Sequence, residues 1–177
     1  MAPSDLELAV PDGFAIGEAR IAAGQDRHAQ GRLAAERALA EFGGDARLGY
    51  DGPRPIVLGA DLAISITHGR VRALAVVAAV PRIGIDLCDD DARLAYLAER
   101  FLAERSLATT PRARAACFAA KEAALKALGL GLLDGGMFDA CVVRVISLDP
   151  PRLEPATLAL AIGRVPEGAV AIAYVSP

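Results

Sequence analysis

Glu122 lies in the run FAAKEAALKALGLG, residues 118–131, directly after Lys121 and one turn before Lys126. Ala, Leu, Lys and Glu are strong helix formers, so the run is expected to be helical. Gly129 and Gly131 supply its stop. At 100° per residue Phe118, Glu122 and Leu125 fall within about 60° of one another, on the stripe that should face the core. A carboxylate there needs a partner, because an unpaired buried charge is strongly unfavourable. A lysine of the same helix or a metal ion would serve. An ordinary i,i+4 surface pair of Glu122 with Lys126 is the plainer alternative. A second carboxylate, Asp86, sits in IGIDL, a segment otherwise suited to a buried strand. Two carboxylates from different elements, with lysines nearby, suggest a magnesium site that handles phosphate. In such a site the cation and Lys would supply most of the charge neutralisation. His68, at a strand end, could donate to a phosphate oxygen. Asp86 as a turn former and His68 as a structural histidine are the corresponding plain readings. The run Asp89–Asp91 reads as a solvated helix start, where negative charge is favourable.

The bulk properties limit what else the chain can be. It has 177 residues, enough for one globular unit or two small lobes. It is 54% hydrophobic but 5% aromatic, so Ala, Val, Leu and Ile must build the core. A net charge of -3 and a pI near 5.4 argue against nucleic acid as the main ligand. No apolar run reaches the roughly 18 residues of a membrane span, and no signal sequence opens the chain. Cys88, Cys117 and Cys141 are odd in number and widely spaced, which suits a reduced, cytoplasmic protein. With only His28 and His68, a histidine-rich metal site is excluded.

The elements that must position these residues can be read in order. Leu6–Val10 is expected to form a short edge strand and Phe14–Ile21 a second. Asp26–Phe42 reads as a helix with Ala35, Ala38, Leu39 and Phe42 on its apolar face, Arg32 and Glu36 facing away, and Gly43 and Gly44 ending it. Residues 49–55 are a turn cluster. Leu62, Ile64 and Ile66 alternate with Ala63, Ser65 and Thr67, so a strand is expected, with a hairpin near Gly69 and a nearly continuous buried strand from Val71 to Val80. Pro81 breaks the chain. Ile83–Leu87 is a short strand, Ala92–Phe101 a helix, and the central helix begins near Arg112. Beyond a turn at Asp134–Gly136, the segment Phe138–Leu148 reads as a strand, and Asp149–Pro151 turns it. With Thr157–Ile162 and Ala169–Val175 it is expected to make a three-stranded antiparallel set. A helix followed by strands occurs twice, which gives an α+β chain with a first lobe at 1–81 and a second at 82–177.

IGID at 83–86 followed by FAAKEAALKALG at 118–129 resembles the two signature motifs of the 4′-phosphopantetheinyl transferases. The resemblance is to the larger, pseudo-dimeric type that activates surfactin and enterobactin synthetases. ISITHG at 64–69, GPRP at 52–55 and RLAAERALAEFG at 32–43 resemble further segments of that type. The resemblance implies two similar lobes, each a helix plus a small antiparallel sheet, with coenzyme A in the cleft between them. It implies transfer of the phosphopantetheine arm to a serine of an apo acyl or peptidyl carrier protein, leaving adenosine 3′,5′-bisphosphate. By the same resemblance Asp86 and Glu122 would hold Mg²⁺ on the pyrophosphate, and Lys121 and Lys126 would contact the transferred phosphate. Thr67, His68, Arg54 and Arg32 would bind coenzyme A phosphates, and Glu104 matches the family's candidate base. No nucleic acid or membrane partner is implied, and a monomer is expected. Two departures are visible. Many members carry a Glu two residues after the motif Asp, and Cys88 stands there instead. A thiol suits Mg²⁺ poorly, and Asp90, on the same strand parity as Asp86, or water is the expected substitute. The chain is also short for this type, with its amino-terminal region trimmed of basic residues that larger relatives use for the 3′-phosphate. These departures motivate an alternative, a homologue that binds coenzyme A or a carrier protein without turnover. A structural module in which Glu122 merely pairs with Lys126 is the third reading.

Overall fold

The computed structural model describes residues 5–130 and 143–176. The expected turn at 134–136, the first residues of the expected strand at 138–148, Gly131 and Cys141 lie outside them. Two successions of elements repeat one plan. The first is strand β1 (Phe14–Arg20), helix α1 (Arg27–Ala40), the hairpin β2 (Arg47–Asp51) and β3 (Arg54–Leu58), then β4 (Ala63–His68) and β5 (Arg72–Ala78). The second is β6 (Ile83–Asp89), helices α2 (Ala92–Phe101) and α3 (Pro111–Leu128), the hairpin β7 (Arg144–Leu148) and β8 (Pro151–Glu154), then β9 (Leu158–Val165) and β10 (Gly168–Val175). Each lobe has an antiparallel three-stranded sheet whose middle strand comes last in sequence: β1-β5-β4 and β6-β10-β9.

The middle strands show why the layers form. In β5, Ala73, Ala75 and Val77 face the core beneath α1, while Leu74, Val76 and Ala78 face a core shared by both lobes. In β10, Ala169, Ala171 and Ala173 lie beneath α3, and Val170 and Ile172 face the shared core. Alanines under the helices allow close approach, and larger residues fill the space between the sheets. The approach is closest at one glycine per lobe. A Cβ on Gly17 would stand 1.8 Å from the Ala34 carbonyl oxygen of α1, and a Cβ on Gly84 1.9 Å from that of Ala123 in α3. Only glycine fits either place.

The ends of α3 are set locally. Thr110 caps it, accepting from the Ala113 N–H at 3.1 Å, and Pro111 opens its first turn. Gly129, left-handed at φ 75°, closes it, with the Leu130 N–H returning to the Leu125 carbonyl at 2.9 Å.

Three strand expectations are corrected. Leu6–Val10 forms no strand; Glu7 makes a single bridge to Arg164 of β9, and Leu6, Leu8 and Val10 pack on the shared core. Packing of these side chains, that bridge and the ion pair of Asp5 with Arg72 hold the segment without a ladder. The turn cluster at 49–55 holds the turn, at Gly52 and Pro53, but its flanks belong to the paired strands β2 and β3. The strand ending at Leu148 does not join β9 and β10; it pairs with β8, and β6 takes the third place in the sheet.

Candidate active site

The two sheets meet edge to edge where β4 runs alongside β6. The contact is made by side chains. Ser65 Oγ accepts from the Ile85 N–H at 3.1 Å, and Thr67 Oγ1 accepts from the Leu87 N–H at 3.2 Å. Residues 65 and 67 meet 85 and 87 in the same order, so the strands run parallel. At one end of this seam opens a cavity of about 470 Å³. Its wall combines Thr67, His68 and Arg70 from the first lobe with Asp86, Cys88, Asp89, Asp91, Arg93, Glu122 and Lys126 from the second, and Arg27 from the start of α1.

Asp86 is buried on β6 and held from both sides. Its Oδ1 accepts from Thr67 Oγ1 at 3.0 Å and from Lys126 Nζ at 2.7 Å. The Lys126 ammonium also donates to the Ile85 carbonyl at 2.9 Å. Two of its three protons are thus committed, and with its side chain 34% exposed the third can reach a ligand. The simple Glu122–Lys126 surface pair is therefore not the arrangement adopted: Lys126 reaches across to β6. Glu122, half-buried, keeps its carboxyl beside that of Asp86. Burial pushes it up to about 8, Asp86's negative charge and hydrogen bonding push in the same direction, and Lys126 opposes them. Cys88 is pushed far above the ordinary thiol range, first by burial and then by the charges of Asp86, Glu122, Asp89 and Asp91. These surroundings favour the neutral thiol over the thiolate that would bind a metal.

The remaining expected residues are dispersed. Lys121 and Glu104 form a buried pair at 2.8 Å, and the Val145 N–H donates to the other Glu104 oxygen at 3.1 Å. The pair ties α3 to β7 and takes no part in the cavity wall. Asp90 is exposed and also outside the wall, because β6 ends at Asp89 and its parity lapses there. Its neighbours are inside: Asp89 accepts from the backbone and Nε of Arg70 at 3.0 and 3.2 Å, and Asp91 caps α2. Arg32 lies on a second cavity of about 280 Å³ with His28, Tyr50, Pro53, Pro55, Ile66 and His68. Ile66 and His68 line both cavities, so the two adjoin. His28 and His68 meet edge to face, with ring centroids 5.5 Å apart. Arg54 points elsewhere, its Nη1 3.9 Å from where a Gly129 Cβ would stand, near the end of α3.

Sequence reasoning missed Arg27, Arg70, Arg93 and His28, whose positions in loops and helix starts carry no spacing signal. It also missed Arg72, which is fully buried in β5. Arg72 is bidentate to Glu167 and donates to Asp5 and Glu18 at 2.8 and 2.9 Å.

Two adjacent carboxyls, with the charge of Asp86 opposing ionisation of Glu122, are a donor set a divalent cation relieves. Mg²⁺ takes one or two carboxylates and completes its shell with water and phosphate oxygens, so Asp86 and Glu122 fit it. Among the described residues no group of three or more His, Cys, Asp or Glu is arranged to hold a metal, so the protein's share would be those two. The surrounding arginines suit an anionic ligand. Among the described residues no helix is long and apolar enough to cross a membrane.

A search of curated proteins returns no match. The family model of the 4′-phosphopantetheinyl transferase superfamily matches residues 82–173. The match starts just before β6, runs into β10, and includes Asp86, Glu122 and Lys126. As it spans more than half of the residues, the chain belongs to the 4′-phosphopantetheinyl transferase superfamily.

Proposed function

We propose that the protein transfers the 4′-phosphopantetheine arm of coenzyme A to a serine of an apo acyl or peptidyl carrier protein, with Mg²⁺, releasing adenosine 3′,5′-bisphosphate. The observation that carries this reading is the pairing of Asp86 and Glu122 beneath Lys126 in a cation-rimmed cavity between two lobes. The larger, pseudo-dimeric type is supported by the strand–helix–hairpin–strand–strand plan that occurs twice in one chain.

Each residue has a part suited to its surroundings. Asp86 and Glu122 would hold the cation, which when bound neutralises pyrophosphate oxygens. Lys126, anchored through two protons, turns its third toward the phosphate and stays charged as the bond to the leaving group breaks. Arg27, Arg70, Arg93 and His68 supply further donors around the anion. The second cavity, with Arg32, His28 and Tyr50, adjoins the first and offers room for the rest of the coenzyme. Glu104 is engaged through both oxygens with Lys121 and Val145, so its part is to brace α3. The serine proton then passes to water or to a carboxylate of the wall.

A second reading, binding of coenzyme A or a carrier protein without turnover, is favoured by the neutral thiol of Cys88 in the wall. Mass spectrometry of a purified apo carrier protein, incubated with the protein, coenzyme A and Mg²⁺, decides between them. The expected result is a carrier heavier by one phosphopantetheine on its serine. An unmodified carrier with coenzyme A still bound would favour the second reading, and absence of both binding and transfer would sink both.

A further inference from the structure

We infer that Thr67 is a positioning residue, which fixes Asp86 from the opposite lobe so that one carboxylate oxygen alone is presented to a divalent cation. This rests on the reading of Asp86 as a cation ligand. Thr67 is buried, 6% exposed, and its hydroxyl is engaged both as donor and as acceptor. A hydroxyl has one proton to donate. Thr67 spends it on Asp86 Oδ1 and receives the Leu87 N–H in return. No proton is left for a phosphate oxygen, so the expected role of Thr67 as a coenzyme phosphate contact does not fit this geometry.

The consequence falls on Asp86. Its Oδ1 takes both Thr67 and Lys126, one donor from β4 and one from α3. Such a carboxylate cannot rotate without breaking two bonds, one of them charge-assisted. Oδ2, on a residue that lines the cavity beside the Glu122 carboxyl, is left to the cation once Glu122 gives up the proton it shares with Asp86. Groups that hydrogen-bond a ligating carboxylate orient it and tune its affinity. Because β4 also carries His68 into the wall, the lobe that would grip the coenzyme also aims the cation ligand of the other lobe. Ser65 provides an internal contrast. It makes the equivalent stitch to β6 through the Ile85 N–H and not through Asp86.

Mn²⁺ binding to the full chain in the presence of coenzyme A, followed by the electron paramagnetic resonance of free Mn²⁺, tests this. Thr67→Val should weaken Mn²⁺ by roughly tenfold, the lower end of what loss of an outer partner produces. Thr67→Ser should restore it to within about twofold. Ser65→Ala should lower the melting temperature and leave Mn²⁺ affinity unchanged. Thr67→Ala is the second variant should Val not be accommodated. Coenzyme A affinity measured in chelator should be unaltered in Thr67→Val. Wild-type Mn²⁺ affinity in both Thr67→Val and Thr67→Ala would overturn the inference. So would a loss of coenzyme A affinity in chelator, which would make Thr67 a phosphate contact after all. Absence of Mn²⁺ binding in the wild type would overturn the assignment of Asp86 as well, leaving Thr67 nothing to position.

Discussion

Glu122 carries an ordinary carboxyl into a place that opposes its charge. Burial and Asp86 raise its affinity for a proton, so that it titrates near 8 in place of 4.5. As pH rises from about 4.5 to about 8, the unfolded chain releases a proton that the folded chain retains, and this contribution turns against folding. Urea unfolding of the metal-free protein at about pH 5 and about pH 8.5 should therefore show a larger loss of stability in the wild type than in Glu122→Gln, which cannot ionise. Equal losses would mean that Glu122 is not held as described. A bound cation needs the ionised form, so Mg²⁺ affinity should climb across the same window in the wild type, and Glu122→Gln should keep the fold but lose transfer. Cys88 stands by contrast in a position that keeps it protonated, which explains how a soft side chain can occupy this wall without competing as a ligand.

At the scale of elements, the two lobes repeat more than their topology. Gly17 and Gly84 admit α1 and α3 in the same way, with Ala34 and Ala38 against one and Ala123 and Ala127 against the other. Counted from those contacts, Arg37 of α1 corresponds to Lys126 of α3. Both donate to the carbonyl of the residue after the glycine, Glu18 in one lobe and Ile85 in the other. The second lobe thus bears its site on a helix–strand joint that the first lobe uses structurally. Ala19 fills the strand position that Asp86 occupies in the second lobe, and Leu33 the helix position of Glu122. Gly84→Ala and Gly17→Ala should each destabilise by about 1–3 kcal/mol, since either helix must shift to admit a methyl group. Gly84→Ala alone should also weaken Mn²⁺ binding, because the shift separates Glu122 and Lys126 from Asp86. Thermal unfolding beside the Mn²⁺ titration separates the two effects, and a Gly84→Ala protein with wild-type Mn²⁺ affinity would contradict this account of the joint.

In the whole molecule, Arg72 joins parts that are far apart in sequence. Its guanidinium is buried in β5 and meets Glu18 of the same lobe, Glu167 at the β9–β10 turn and Asp5 of the amino-terminal segment. Replacing it by Met should leave the half-buried carboxylates of Glu18 and Glu167, and that of Asp5, without this cation. The loss should be about 3 kcal/mol, the low end for breaking a buried pair, since Asp5 is 43% exposed and can turn to water. Denaturant unfolding measures it, and a change within experimental error would show that the lobes do not depend on this link. The hydrogen bond from Arg72 holds the Asp5 carboxyl down to about 2, against an ordinary 3.8. A depressed carboxyl favours folding above its unfolded pKa, so the wild type should lose this contribution as pH falls from about 4 to about 2, and Arg72→Met, which leaves only Arg20 beside Asp5, should lose less.

What the sequence determined by itself was local. The start of α3 within a residue of Arg112, its glycine stop, the glycine-ended helix α1 and the hairpin at Gly69 are each written in a few adjacent residues, and each occurs close to where those residues place it. That Thr110 and Asp26 cap the two helices is seen only in the structure. The helix wheel likewise put Glu122 on a face turned toward the protein. Which partners those elements take was settled only in three dimensions. Short apolar strands alternate alike, so nothing local distinguishes β6 from β7 as the neighbour of β10. Lys126 had a carboxylate four residues away in its own helix, yet bonds one forty residues back, because Gly84 brings β6 against α3. Ser65 and Thr67 read as the outward face of an ordinary strand, but a parallel strand of the other lobe lies against them and makes them the seam. Asp90 followed the parity of a strand that had already ended. The physical reason is the same in each case: caps and turns are decided by bonds within a few residues, whereas the partner of a buried charge is whichever group the packed layers bring within about 3 Å.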